Sequence, residues 1–236
     1  MVYENLLNQS LVVTLNVQTK YAGIVRKVAN DFVLIDDSIA GACLVHLEHA
    51  KKLTTGSENS ASSSKRTKRM RFGPFDHQTL PDTLVDVLKG MQDSVMRLEC
   101  GSPDAITGYL MAVHEDYVVV GVIPDGSVYL PTHHIQTVLP LDVSVNPEFL
   151  RWLQLKQVCT GAGWFADVLR ASTGEMVRLG RGGPEDVTGI LTTVHDVAVE
   201  LVVSSHEVVW MPVHHIKAFC RLERRDGQPE QPTATL

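Results

Sequence analysis

The chain has 236 residues, a net charge of −6 and 44% hydrophobic residues. This length allows one large domain or two to three small ones, and the apolar content is ordinary for a protein with a packed core. We expect no membrane-spanning helix, because no run of about 18 apolar residues is present. The negative charge argues against a general nucleic-acid-binding protein, which usually presents a basic face.

The N-terminus and the cysteines indicate a cytosolic site of synthesis. The stretch MVYENLLNQS lacks a basic region followed by an apolar one, so we expect no secretory signal. Four cysteines stand at positions 43, 100, 159 and 220, and none belongs to a Cys-X-X-Cys pair. This excludes a typical zinc ribbon or thioredoxin motif and predicts buried thiols in a reducing compartment.

Residues 1–55 hold the first and most divergent copy of a unit that occurs three times. When copy one is aligned with copy two so that Gly23 meets Gly108, GIVRKVANDFVLI (Gly23–Ile35) lies on GYLMAVHEDYVVV (Gly108–Val120). Asp31 then meets Asp116. We therefore predict the same fold for both segments.

Residues 56–79 form a Ser-rich basic linker in this prediction. The composition of this segment is typical of disorder. It contains KRTKRMR, with five positive residues in seven, namely Lys65, Arg66, Lys68, Arg69 and Arg71. Such a run can contact a polyanion or an acidic partner, although a charge run in a linker is more often only solvated.

The second copy, residues 80–141, begins with a short amphipathic segment. LPDTLVDVLKG places Leu84, Val87 and Leu88 on one face of a helix. The stretches VMRL, GYLMAV and DYVVVGVI then predict strands, and Gly108 in the second of them permits a bend or a bulge.

The same copy ends in SVYLPTHHIQTV, which predicts two short strands separated at Pro131, because proline cannot donate a ladder hydrogen bond. A helix and about five short strands in one copy favour a small, strongly bent antiparallel barrel. The predicted fold class is therefore mostly β, with three tandem small barrels that each follow a short helix.

Residues 142–162 connect the second copy to the third. NPEFLRWLQLKQV (Asn146–Val158) has Asn as N-cap, Pro at the first helical position and Glu next, which is typical of a helix start. We expect its apolar residues to pack on a neighbouring barrel; they are Phe149, Leu150, Leu153 and Val158.

The third copy spans residues 163–224. When copy two is aligned with copy three so that Gly108 meets Gly189, the segment 82–141 lies over 163–222 without a gap. TGYLMAVH then meets TGILTTVH, and the two Pro-X-His-His-Ile runs fall into register. The remaining residues, 225–236, are predicted to be a disordered tail.

The repeated pattern is Gly-apolar-X-X-Val, an acidic residue before a β-branched strand, and aromatic-X-Pro-X-His-His-Ile. Its residues are Gly108, Asp116, Pro131, His133, His134 and Ile135 in the second copy, and Gly189, Pro212, His214, His215 and Ile216 in the third. The pattern resembles the Sm-like domain of spore coat proteins in endospore-forming bacteria, and the spore coat protein B family is the nearest named family.

This resemblance implies Sm-like (SH3-like) antiparallel barrels and a structural role in the spore coat. It also implies that the partners are other coat proteins or further copies of this chain. From the residues themselves we expect no membrane contact and no cofactor. The linker is similar in composition to the Ser-Lys-Arg segments of that family, which implies that it is phosphorylated.

The histidine-rich turns are candidate metal sites. Neighbouring residues in a strand point to opposite faces, so one His-His pair does not chelate one ion. A better ligand set combines a His with an acidic residue before the third strand and a His after the fourth. The candidates are His114 with Glu115 or Asp116 and His133, and His195, Asp196 and His214. The alternative is that these histidines only hydrogen-bond and pack at a turn.

The sequence contains no recognisable catalytic motif. No Gly-X-Ser-X-Gly elbow occurs, and GRGGPED (Gly180–Asp186) matches a loop of the second copy rather than a phosphate-binding loop. RNA binding is a rival, because other Sm-like proteins bind RNA. The His, Glu and Asp residues of these loops argue against it, since anionic side chains repel phosphate.

The sequence therefore predicts a non-enzymatic structural protein, made in the mother-cell cytosol and located in the spore coat. The alternative is an RNA-binding or metal-binding Sm-like module.

Overall fold

The computed structural model describes residues 4–37, 41–55, 71–72, 75–76, 78–100, 105–143, 145–155, 162–181, 183 and 185–222. Strands predominate among them, so the prediction of a mostly β protein is confirmed. The strands are β1 Ser10–Thr14, β2 Lys20–Val28, β3 Phe32–Asp37, β4 Gly41–His46, β5 Lys52–Thr55, β6 Arg71–Phe72, β7 Phe75–Asp76, β8 Val95–Glu99, β9 Ala105–Val113, β10 Tyr117–Val122, β11 Gly126–Pro131, β12 Thr137–Pro140, β13 Met176–Leu179, β14 Val187–Val194, β15 Ala198–Ser204, β16 Glu207–Pro212 and β17 Phe219–Arg221.

The helical elements are short. The α-helices are α1 Leu84–Gly90, α2 Pro147–Leu155 and α3 Phe165–Ala171, and single 3-10 turns span Glu4–Leu6, Leu47–His49, Thr132–His134 and Val213–His215. On α1, the residues Leu84, Val87 and Leu88 are buried, which confirms the amphipathic face predicted for this segment.

The chain divides into two compact units. Unit one comprises Met1–Val113 and Ile135–Leu141, and unit two comprises His114–His134 and Asp142–Leu236. The strands of the second copy are therefore divided between the two units. Strands β8, β9 and β12 belong to unit one, whereas β10 and β11 belong to unit two.

Antiparallel pairing runs through each unit in an open order. In unit one the order is β9-β8-β12-β4-β3-β2-β1-β5, and in unit two it is β16-β15-β14-β13-β17-β11-β10. In unit one the last strand of the second copy, β12, pairs with the fourth strand of the first copy, β4. In unit two β17 pairs in the same way with β11. The prediction of three tandem barrels is therefore not confirmed by the strand pairing, which joins one copy to the next.

Copies one and three use related strand orders and the same irregularities. Their orders are β4-β3-β2-β1-β5 and β16-β15-β14-β13-β17. A β-bulge falls at Arg26 between β2 and β3, and another falls at Thr192 between β14 and β15, at matching positions of the repeat. A bulge strengthens the local twist of a strand, so both second strands bend at the same place.

Glycine at the start of these bent strands allows a close approach of two backbones. A Cβ at Gly189 would lie 2.6 Å from the carbonyl oxygen of Val202, and a Cβ at Gly23 would collide with the carbonyl oxygen of Asp36. Gly108 occupies the matching position in β9. The sequence predicted a bend or bulge at this glycine, and the structure adds the steric reason for copies one and three.

Helix α2 begins as predicted. The side chain of Asn146 accepts a hydrogen bond from the Glu148 amide at 2.8 Å, and Pro147 is the first helical residue. Phe149 stacks on Trp152, with 6.1 Å between ring centroids, and Phe149 and Leu150 are half-buried. The predicted packing of the later helical residues concerns side chains outside the described part of the chain.

Part of the predicted disordered linker is ordered. Strands β6 and β7 pair with each other, with Phe72 opposite Phe75. The side chain of Asp76 then accepts hydrogen bonds from the amides of Gln78 and Thr79. A tight hairpin and an Asx turn need only local hydrogen bonds, so composition alone did not reveal them. Residues 56–70 of the linker and the tail 225–236 lie outside the described residues.

The core contains the buried thiols that the cysteine pattern predicts. Cys43, Cys100 and Cys220 are buried, with exposed fractions of 3% or less, whereas Cys159 lies outside the described residues. Burial raises the pKa of Cys43 and of Cys220. Both thiols are therefore protonated and unreactive at neutral pH.

Candidate assembly interface

The first junction between copies lies in unit one, where β4 meets β12. Val138 stands opposite Leu44, and the amide of His46 donates to the carbonyl of Gln136 at 2.9 Å. The row of facing residues across four strands is Leu34, Leu44, Val138 and Leu98. All four side chains are fully buried. An apolar row of this kind supplies the burial that holds a strand pair together.

The second junction lies in unit two and has the same register. Here Phe219 stands opposite Tyr129, and the row across four strands is Val119, Tyr129, Phe219 and Leu179. The alignment of copy one with copy two brings Leu44 onto Tyr129, and that of copy two with copy three brings Val138 onto Phe219. The same positions of the repeat therefore meet at both junctions.

Aromatic side chains fill the junction in unit two. The ring of Tyr129 lies 6.0 Å from that of Tyr117 and 5.6 Å from that of Phe219. Phe165 at the start of α3 is 6.2 Å from Tyr117 and 6.3 Å from Phe219. Aromatic pairs at these distances stabilise a contact beyond their buried area, by about 0.5–1.5 kcal/mol each.

An acidic residue of each preceding copy caps the helix of the following copy. In unit one both carboxylate oxygens of Asp31 accept from the amide of Leu84, the first residue of α1, at 2.9 and 3.1 Å. In unit two Asp116 accepts from the amide of Phe165, the first residue of α3, at 2.8 Å. The first amides of a helix have no partner within it, and a carboxylate there is also favoured by the helix dipole.

Main-chain bonds accompany these caps. The amide of Asn30 donates to the carbonyl of Asp82 at 3.0 Å, and the amide of Glu115 donates to that of Gly163 at 3.4 Å. The two alignments of the copies bring Asn30 onto Glu115 and Asp82 onto Gly163. Each junction therefore consists of a strand pair, a capped helix and a backbone contact that come from equivalent positions.

Polar side-chain contacts differ between the two junctions. In unit two Asp125 pairs with Arg178 at 2.5 Å and with Arg181 at 3.1 Å. In unit one the hydroxyl of Tyr21 donates to the carboxylate of Glu99. Burial, together with this hydrogen bond, raises the pKa of Tyr21. The polar contacts are particular to each junction, whereas the apolar row and the cap are shared.

The fourth strand of copy three is exposed where its equivalents are buried. Among the described strands β16 pairs with β15 alone. Trp210 is 56% exposed, whereas Tyr129 and Leu44 at the matching positions are 2% and 0% exposed. The position of Asp116 is taken by Val197, which is 75% exposed. Copy three thus presents an apolar strand edge without the capping carboxylate.

Each His-His pair lies in a 3-10 turn that follows the fourth strand. Rings of His133 and His134 are 4.1 Å apart, and those of His214 and His215 are 4.2 Å apart. The expectation that the two side chains of a pair point to opposite faces of a strand is therefore wrong, because each pair lies in a 3-10 turn and its two rings lie close together. Pro131 and Pro212 end the preceding strands, as predicted, and Ile135 and Ile216 after the turns are buried.

Two of the predicted metal ligands, His114 and His195, stack on aromatic rings of their own copies. His114 stacks on Tyr117 at 4.4 Å, and His195 stacks on Trp210 at 5.3 Å. Burial lowers the pKa of His114, although the nearby carboxylates of Asp116 and Glu115 act in the opposite direction. Within the described residues no group of three or more His, Cys, Asp or Glu side chains is arranged to hold a metal ion. The ligand set His114–His133 and its equivalent in copy three, with Asp196 and His214, stay predictions.

The basic run falls almost wholly outside the described residues. Lys65, Arg66, Lys68 and Arg69 are not described, and Arg71 is placed only as the first residue of β6. Its role as a polyanion or partner contact stays a prediction.

Sequence reasoning missed the cross-copy contacts themselves. The alignment of Asp31 with Asp116 marked the capping position, but a repeat pattern does not say which copy supplies the partner. The absence of that acid at Val197 was the available signal that copy three has a different environment at this edge.

Comparison with known proteins gives one informative relationship. The chain is 25% identical over 176 residues to Spore coat protein B of Bacillus subtilis (strain 168), which covers 73% of this chain and 42% of that protein. The chain thus spans less than half the length of this relative. These data show a spore coat protein B-like relationship. No family model matches the chain, and no helix among the described residues is both long and apolar enough to cross a membrane.

Proposed function

We propose that the protein is a non-enzymatic structural component of the spore coat, built from three Sm-like barrels that assemble edge to edge. The observation that carries the proposal is the junction between copies, which occurs twice with one register and one cap. A geometry that recurs at different sequences is a binding mode, because the same surfaces meet each time. The relationship to Spore coat protein B supports the cellular location.

The strand order supports the barrel assignment. In copies one and three the chain-order first strand lies between the second and the fifth, and the second strand is bent by a glycine and a bulge. A five-stranded unit with this order and a sharply bent second strand is what an Sm-like barrel requires. The short helices α1 and α3 stand at the start of copies two and three, as the sequence pattern predicts, whereas the described part of copy one begins with the 3-10 turn Glu4–Leu6.

The mechanism of assembly is strand addition. A strand edge offers main-chain donors and acceptors to another strand, while the alternate side chains give specificity. Linking several such modules in one chain raises the effective concentration of each further contact. Weak individual contacts to other coat proteins would then add up to stable incorporation into the coat.

The location of a fluorescent fusion through growth and sporulation tests this function. We expect a ring around the forespore, with no signal in growing cells. Diffuse signal in vegetative cells would contradict a coat role. A catalytically competent site is not needed at any step of this function.

A further inference from the structure

We propose that β16 of one chain pairs antiparallel with β5 of a second copy of the same chain, with Trp210 opposite Leu53. This inference rests on the proposed assembly function and names its partner and register. Among the described strands, one fourth strand and one fifth strand have an edge without a partner strand. They are β16, which pairs only with β15, and β5, which pairs only with β1.

The register follows from the two internal junctions. In each of them the fourth strand of one copy meets the fifth strand of the next, through Leu44 and Val138 and through Tyr129 and Phe219. The alignments of the copies bring Tyr129 onto Trp210 of copy three and Val138 onto Leu53 of copy one. No new geometry is required, because strands equivalent to β16 and β5 already pair in this way at both internal junctions.

The row of side chains across the proposed contact matches the buried rows in three of its four strands, and the exception is Glu200 at the position of Leu34 and Val119. At the internal junctions this row is apolar and buried in all four strands. At the proposed contact it consists of Glu200 and Trp210 from one chain and Leu53 and Val13 from the other. The two central residues are apolar: Trp210 is 56% exposed, and Leu53 is half-buried against the core of unit one. Pairing would bury the indole ring as its equivalents are buried, which provides the driving force.

Because β5 and β16 are different surfaces, the contact is heterologous. Each added chain leaves one edge of each kind, so chains join head to tail into a ring or a filament.

A cysteine cross-link between two purified full-length chains tests the register. The same alignments place Lys52 opposite Met211, on the basis of Thr137 opposite Val45. Cβ atoms that stand directly opposite are about 4.5–5.5 Å apart. A tagged chain with Lys52→Cys mixed with an untagged chain with Met211→Cys should form a mixed dimer with a short thiol-reactive cross-linker.

The matched control replaces Met211→Cys by Val208→Cys. Val208 is 50% exposed and lies three positions away, on the other face of β16. Random collisions would link it at least as well, whereas the proposed register would not. The parent chain with its native cysteines gives the background. Equal yields for Met211→Cys and Val208→Cys would overturn the proposal.

Self-association of the purified chain gives a second, independent measurement. Light scattering or sedimentation across a concentration series should show mass increasing with concentration. Trp210→Asp should weaken this association about tenfold or more, as expected for a central tryptophan. Ile190→Asp is the control, because Ile190 is 42% exposed on the inner strand β14 and should leave association unchanged. A monomer at every concentration, or unchanged assembly of Trp210→Asp, would overturn the proposal.

The experiments distinguish a failure of the proposed coat function from a failure of the proposed contact between β16 and β5. A forespore ring with no cross-link at Lys52 and Met211 would keep the coat function and assign the edges to another partner. A register-specific cross-link without coat localisation would keep the self-association and remove the coat function.

Discussion

The amide of Phe165 donates a hydrogen bond to the carboxylate of Asp116 at 2.8 Å, across 49 residues of sequence. The carboxylate of Asp31 accepts a hydrogen bond from the amide of Leu84 in the same manner, across 53 residues. The cap of a helix is usually supplied by the residue next to it, as Thr83 also does in part for α1. A cap supplied from the preceding copy ties the helix to that copy as well as stabilising it.

Replacement of this carboxylate is the first prediction. Asp116→Ala should lower the free energy of unfolding by about 1 kcal/mol, because the first amide of α3 loses its acceptor. Trp164, the residue before α3, makes no side-chain cap that could compensate. Urea unfolding measures the change. Val197→Ala, at the matching exposed position, should have almost no effect, and equal losses in both variants would contradict the capping role.

Removal of one buried ring from the junction is the second prediction. Phe219→Ala should cost about 3–5 kcal/mol, because it leaves a cavity beside Tyr129 and Phe165. Trp210→Ala, measured at a dilution where the chain is monomeric, should cost far less, since its ring is 56% exposed. Thermal unfolding of the two variants gives the comparison. Similar losses would show that the edge of copy three is covered within the monomer.

The third prediction concerns pH and His114. Burial lowers the pKa of this residue in the folded state, so the unfolded chain takes up the proton first as the pH falls. Neutral His114 therefore contributes fully to the free energy of unfolding above its ordinary pKa of 6.5. This contribution is lost as the pH falls below 6.5 toward the lower pKa of the folded state. His114→Phe keeps a ring to stack on Tyr117 but does not titrate. Urea unfolding is measured at pH 7.5 and at pH 5.5, about one unit above and below the ordinary pKa. Between these two values the unfolding midpoint should fall less for this variant than for the native chain.

Parallel behaviour of the two chains in that experiment would show that His114 does not contribute to the acid sensitivity.

The fourth prediction tests the close backbone approach in copy three. Gly189→Ala should destabilise the protein by about 1–3 kcal/mol, because the new methyl group would lie 2.6 Å from the carbonyl oxygen of Val202. Gly163→Ala is the matched control, since no atom lies within 4 Å of a Cβ at that position. Chemical unfolding of both variants measures the difference, and an unchanged midpoint for Gly189→Ala would contradict the steric argument.

Local features of the fold were predictable from the sequence. The face of α1, the Asn146 cap of α2 and the strand end at Pro131 follow from short-range rules on periodicity, capping and proline. The turn that carries each His-His pair was also placed correctly, before the last strand of its copy. Its 3-10 geometry was not, because so short a pattern is equally compatible with an extended strand.

The cross-copy pairing was beyond reach of the same reasoning. An alignment of repeats shows that Val138 and Phe219 occupy equivalent positions, but a strand with two free edges can pair within its copy or with its neighbour. The structure shows both, since Val138 faces Leu98 of its own copy and Leu44 of the first. Which of the edges is used depends on the path of the connecting segments, and that path has no signature in the periodicity of single strands.

The position of the fifth strand at the end of each copy has an evolutionary consequence. Because β12 and β17 complete both their own copy and the one before, an in-frame tandem duplication inserts a segment that already matches the edge it meets. The acid at the position of Asp31 and Asp116 serves the helix of the following copy, so its retention is tied to that helix, and copy three has Val197 at this position. Gene lengthening by whole repeats can therefore change the number of modules in such a chain without inventing a new contact.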